Sequence, residues 1–190
     1  MASRPELPKF TVPSLAPRDG AQVAQILQGR LHALNDLALT LKHIHWNVVG
    51  AHFIAVHEML DPQVEAVRAM VDAIAERIAT LGVAPKGTPG VLVAERSWDD
   101  YAIGRAGAIE HLGALDAVYA GVISSHRKAA ADTEKLDAVT NDLLIGHLHQ
   151  LELFHWFVRA HLESSGGALS TAGSSTEKGS AAKAAATASD

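Results

Sequence analysis

The chain contains no cysteine. That absence excludes disulfide stapling, thiolate catalysis and every zinc or iron–sulfur site built on sulfur ligands. Aromatic residues make up only 5% of the 190 residues, although 48% are hydrophobic. The apolar content therefore rests on alanine and leucine, which favour helices, rather than on the β-branched and aromatic side chains that fill strands. No uninterrupted apolar stretch approaches the ~18 residues that a membrane span requires. A formal charge of −5 leaves no general excess of cations for nucleic acid. The first twenty residues hold four of the seven prolines and no continuous apolar run, so they read as an arm rather than a secretory signal. A cytoplasmic protein is the expectation.

What the chain has in quantity is histidine, eleven residues in all. The apolar pattern around them is helical. From about Ala21 to Val48, Leu27, Leu31, Leu34, Ala38 and Leu41 alternate spacings of four and three, the seam of a long amphipathic helix that Gly50 interrupts. A second helical pattern runs from about His52 to Leu81 and stops at Gly82. A third spans about Arg105–Ala131 and a fourth about Leu136–Glu163. The stretch between the second and third is broken by Pro85, Gly87, Pro89 and Gly90, with SWDDYAI as a short helix inside it. Short breaks make the first and second helices, and the third and fourth, antiparallel hairpins. The long middle connection can run the length of a bundle, so the expected fold is an all-α, ferritin-like four-helix bundle with one long crossover. Its expected limits are a flexible arm at 1–20, the bundle at 21–163 and a flexible Ser/Ala/Gly-rich tail at 164–190.

At 100° per residue His45 lies in line with Leu27, Leu34 and Leu41, whereas His43 points about 160° away. His43 is therefore expected on the surface. His45, taken alone, is either a hydrogen-bonded core histidine or a metal ligand. On the second helix His57, Asp61, Glu65, Asp72 and Glu76 fall within about 100° of one another, a single stripe. A solvated acidic face is one reading. The other is a metal site, but Asp72 lies ~22 Å along the helix from His57, too far to share one ion. If the helix packs antiparallel on its own copy about a two-fold axis near Ala66 and Val67, Asp72 and Glu76 meet the partner's histidine end, and two identical sites result. The implied shell of two imidazoles and two or three carboxylates suits Fe(II) and admits Zn(II) or Mn(II). Pro62 stands in the way of a regular helix at Asp61, and a kink that keeps the stripe in phase is the expected solution.

His45-Trp46 with Gly50 four residues on, then FIAVHEMLD from Phe53 to Asp61 and DAIAERIATLG from Asp72 to Gly82, resemble the Dps family, the mini-ferritins named as DNA-binding proteins from starved cells. KGTPG and SWDDY in the connector and WFVRAHLES near the end are similar to its actinobacterial members. The resemblance covers roughly Val23 to Gly167. It implies a hollow dodecamer with ferroxidase sites between two-fold-related chains. It implies His45 and His57 from one subunit, Asp72 and Glu76 from the other, and Asp61 supporting a second iron. It also implies Fe(II) as substrate, hydrogen peroxide as preferred oxidant, and ferric mineral stored within. Trp46 is then either a sink for stray radicals or a packing aromatic. Asp132, Glu134, Asp137 and Asp142, around the third-to-fourth helix turn, are candidate pore acids or ordinary loop acids.

Direct DNA contact is expected to be weak. The tail sets Lys178 and Lys183 against Glu177 and Asp190, and phosphate binding scales with the cations delivered. A nucleoid-associated architectural protein with minor metal activity is the alternative reading. An intrachain di-iron enzyme needs two Glu-x-x-His motifs and a lone Glu on each of two other helices. Only Glu152 with His155 fits the motif, and the first helix has no Glu, so that pair is expected to be a structural hydrogen bond.

Overall fold

The computed structural model describes residues 7–188. The elements are α1 (Pro17–Asn47), β1 (Val48–Val49), α2 (Phe53–Thr80), α3 (Pro89–Glu95), β2 (Ala106–Gly107), α4 (Ala108–Thr133), α5 (Ala138–Ala160) and α6 (Glu177–Ala188). α1 packs chiefly on α2, α4 packs on both α5 and α6, and α1 also meets α4. The α1 seam is buried along its length, at Leu27, Leu31, Leu34, Ala38 and Leu41, with His45 at its end. Facing it are Leu60, Val64, Val67, Ile74 and Ile78 of α2 and Leu112, Leu115 and Tyr119 of α4. One polar contact crosses this core: the Tyr119 hydroxyl donates to Gln63 Oε1 at 2.7 Å.

The expected kink at Pro62 is not a break, because α2 is continuous from Phe53 to Thr80. Pro62 and Glu58 are both exposed, so the carbonyl that loses its helical N–H partner faces water. Leaving α2, Gly82 has φ +83°, and a Cβ there would stand 2.1 Å from the Phe10 carbonyl oxygen. A glycine is needed because the N-terminal segment crosses the helix end at this point. The first six residues of the expected arm lie outside the described residues, and α1 already begins at Pro17, a favoured first helical position.

The connector departs from expectation. Its short helix is Pro89–Glu95, and SWDDYAI is not helical. Those side chains are instead tied outward one by one. The Trp98 indole N–H donates to Asp36 Oδ2 at 2.8 Å, Arg96 pairs with Asp36, and the Tyr101 hydroxyl meets His111 Nδ1 at 3.1 Å. His43 takes part in this anchoring. It is half-buried rather than on the surface, its Nε2 lies 2.9 Å from the Ile103 carbonyl, and its ring stands edge-on to Tyr101. The parallel pairing of Val48 with Ala106 and Val49 with Gly107 then joins the end of α1 to the start of α4.

The C-terminal segment also differs from the flexible tail expected of it. α6 lies along α4 with Ser180, Ala181 and Ala184 buried. The contact depends on Gly113, where a Cβ would come within 2.6 Å of the Ser180 carbonyl oxygen and 2.8 Å of Ala184 Cβ. Small residues on both sides bring the backbones close, so the docking needs little apolar bulk. Before α6, Thr171 donates to Asp116 Oδ2 at 2.7 Å. The same buried carboxylate accepts from His155 Nε2 at 2.6 Å and Arg159 Nε at 2.8 Å. His155 is therefore not paired with Glu152, which bridges to Arg127 at 2.5 Å. Burial alone would raise the Asp116 pKa, but the three donors outweigh it and hold the carboxyl well below the usual carboxylate range. Asp116→Ala, which leaves His155 buried without its acceptor, is expected to cost about 3 kcal/mol in urea unfolding. A change within about 0.5 kcal/mol would show that the carboxylate holds nothing.

Candidate metal centre

His45 occupies the last turn of α1 and His57 the second turn of α2, so the hairpin brings them face to face. Their rings are stacked, with centroids 3.6 Å apart and planes 22° from parallel. Each Nδ1 lies 2.9 Å from the backbone carbonyl oxygen of the other residue. A carbonyl only accepts, so each Nδ1 carries the proton and donates it. The Nδ1 of each ring is thereby committed to the main chain, and Nε2 is the nitrogen left to each for binding a metal. Phe53 closes one side, its ring 4.9 Å from that of His57.

Asp61 lies at the edge of this pair. Its Oδ1 is 3.3 Å from His45 Nδ1 and accepts from Lys42 Nζ at 2.6 Å. The Lys42 hydrogen bond, with smaller help from the two histidines, lowers its pKa. Lys42, three residues before His45 on α1, is a neighbour of the histidine pair that lies outside the expected ligand set. Its signal was the (i, i+3) spacing that puts it beside the ligand face.

Asp72 and Glu76 lie about three and four turns beyond Asp61 along α2. Both are exposed, and neither has a hydrogen bond or ion pair among the described residues. Within one chain they do not join the histidines: the described residues contain no group of three His, Cys, Asp or Glu positioned to hold one ion. Glu65 and Ala69 are exposed between the two halves of the stripe, whereas Val67 is fully buried. The face available to a second helix is therefore centred on Glu65 and Ala69. Glu65 and Ala69 bracket the level of Ala66 and Val67 where the axis is expected, and Val67 itself is turned into the core by the helical period.

Trp46 is 72% exposed, beside a cleft of about 580 Å³ that Phe53 and Arg105 also line. Among the candidate pore acids, Asp137 is engaged as the α5 N-cap through Thr140 and as the partner of Arg77 at 2.6 Å. Asp132 pairs with Lys128 at 2.7 Å. Glu134 and Asp142 are exposed.

A family model for the ferritin-like domain matches residues 24–165. The DNA protection during starvation protein of Mycolicibacterium smegmatis is 58% identical over 175 residues, covering 92% of this chain and 96% of that protein. The chain belongs to the Dps family. Solved structures carry the same likeness into three dimensions. Mycobacterium smegmatis Dps superposes with a TM-score of 0.87 at 58% identity, covering 89% of this chain and 97% of that one. DpsA14 from Streptomyces coelicolor gives 0.85 at 64% identity, covering 86% and 97%. The ferritin-like bundle with one long crossover expected from the sequence is thus the fold of this Dps chain. No helix among its described residues is long and apolar enough to cross a membrane.

Proposed function

We propose that the chain is a ferroxidase that oxidises Fe(II), preferably with hydrogen peroxide, at sites shared between two-fold-related subunits of a dodecameric cage. The ferric product is stored as mineral inside. The observation that carries this reading is the reciprocal Nδ1–carbonyl lock of the stacked His45 and His57. It fixes the orientation of two Nε2 donors, with Asp72 and Glu76 unpartnered among the described residues on the helix that carries His57. Iron here is substrate. Two Fe(II) ions release one electron each, and peroxide takes up both electrons with two protons to form two waters, so no hydroxyl radical is released. The absence of cysteine suits such a site, because a thiol would be oxidised first. Anaerobic Fe(II) mixed with peroxide is expected to give rapid ferric absorbance in the wild type, and far less in His45→Ala/Asp72→Ala. Equal initial rates in the two proteins would refute the assignment.

Protection of DNA follows from removal of iron and peroxide and needs no contact. In the C-terminal segment Lys183 donates to the Ala172 carbonyl, and the whole chain carries −5. Supercoiled DNA is expected to show no nanomolar gel shift at physiological salt. Such a shift would favour the architectural reading.

A further inference from the structure

Most of the histidines outside the candidate centre place a ring nitrogen on a carbonyl, hydroxyl or carboxylate. Two buried ones do not. His126 on α4 is fully buried and His147 on α5 is 8% exposed. Their rings face each other with centroids 5.8 Å apart and planes tilted by 42°. Neither nitrogen of His126, nor Nδ1 of His147, has a hydrogen-bond partner among the described residues. Buried polar atoms almost always find one, so three orphans on two facing rings mark the place of a guest. The rings are not hydrogen-bonded to each other, and their spacing is of the order that two metal–imidazole bonds of ~2.0 Å would bridge.

The surroundings limit what the guest can be. Burial makes both imidazoles harder to protonate, pulling His126 down to about 3, with Arg30 and His147 adding to the effect, and His147 down to about 4. Both therefore offer lone pairs at neutral pH. No carboxylate or thiolate accompanies them. The charged neighbour acting on His126 is Arg30, whose guanidinium donates to the Ser125 hydroxyl beside it. A divalent ion would bring two positive charges to two neutral ligands next to a cation. A monovalent closed-shell ion brings one, and it accepts two-coordinate geometry. Of the two rings, only that of His147 retains any exposure.

We propose that His126 and His147 form a two-nitrogen site for Cu(I), for which Ag(I) is the redox-silent probe, inside the subunit and on residues separate from the His45–His57 centre. Such an ion has both coordination positions filled by buried imidazoles, which would keep it out of reach of peroxide.

The assembled wild-type protein is titrated anaerobically with Ag(I) in chloride-free buffer, and bound metal is counted by native mass spectrometry. Affinity is measured in competition with a Cu(I) chelator. His126→Phe and His147→Phe are each expected to lose one tightly held ion per chain, with affinity lowered more than the ~100-fold that removal of a supporting partner costs. His149→Ala, an exposed neighbour on α5, is expected to keep it. Crystals of the wild type soaked in Ag(I) are expected to show an anomalous peak between the two rings, which tests the site even if a variant fails to assemble. The proposal is overturned by unchanged stoichiometry in the assembled variants, by a water between the rings with silver bound elsewhere, or by Zn(II) occupying the pair as tightly as Ag(I).

Discussion

Subunits carrying His45→Ala with His57→Ala, and subunits carrying Asp72→Ala with Glu76→Ala, are each expected to be inactive alone yet active when co-expressed. The expected recovery is about a quarter of the wild-type rate, which follows from two-fold geometry. Random pairing makes half of the dimers mixed. In each mixed dimer one site combines both lesions, while the other combines the intact histidines of one chain with the intact carboxylates of its partner. A site confined to one chain would recover nothing. The structure gives this test its force: His57 and Asp72 sit on one unbroken helix, fifteen residues and ~22 Å apart, so no rearrangement short of breaking α2 unites them in a single chain. The readout is initial ferric absorbance after peroxide addition, with assembly confirmed by light scattering. Recovery near zero in correctly assembled mixed cages would disprove the shared site.

The second large effect is expected in acid. His126 and His147 are neutral in the folded chain down to about pH 3 and 4, while unfolded histidine takes up a proton near pH 6.5. Below pH ~6.5 the unfolded state therefore binds more protons than the native state, and stability falls as pH drops through this window. One unit of depression corresponds to about 1.4 kcal/mol, so the pair should cost on the order of 3 kcal/mol or more between pH 7 and 4.5. Asp116 acts in the same direction but lower. Its depressed carboxyl contributes stability that is complete above the unfolded value of ~3.9 and is lost below it. A His126→Phe/His147→Phe double variant, compared with the wild type by thermal melting at pH 7 and pH 4.5, isolates the upper window. Its melting temperature should fall much less on acidification. An equal fall would mean that these imidazoles are not held neutral.

The four long helices were legible because leucines at spacings of three and four mark a buried seam without reference to anything else. The phase of that seam also gave His45 its inward direction, and the exposed stripe on α2 separated Asp72 and Glu76 from the core. Features that depend on contacts between distant segments were not legible. α6 is built from alanine, serine and lysine, a composition with little apolar bulk. Gly113, some seventy residues earlier, makes room for it. Glu152 and His155 share a helix turn and read as partners, but Arg127 and Asp116 on α4 claim them separately. His43 points away from the seam as its phase requires. What lies there is the returning connector rather than water, and a helical wheel cannot show that. The Cu(I) pair was hidden for the same reason, since its two histidines are twenty-one residues apart on different helices.

The crossed hydrogen bonds of His45 and His57 tie each imidazole to the main chain of the opposite helix, so the turn between them works as a caliper. Val48 to His52 sets the jaw width, with Gly50 at φ +96° as the pivot and nothing within 4 Å of where its side chain would be. On the proposed reading, metal affinity would therefore be adjustable from a surface turn. One residue inserted beside Gly50 would detune both donors together while leaving every ligand in the sequence.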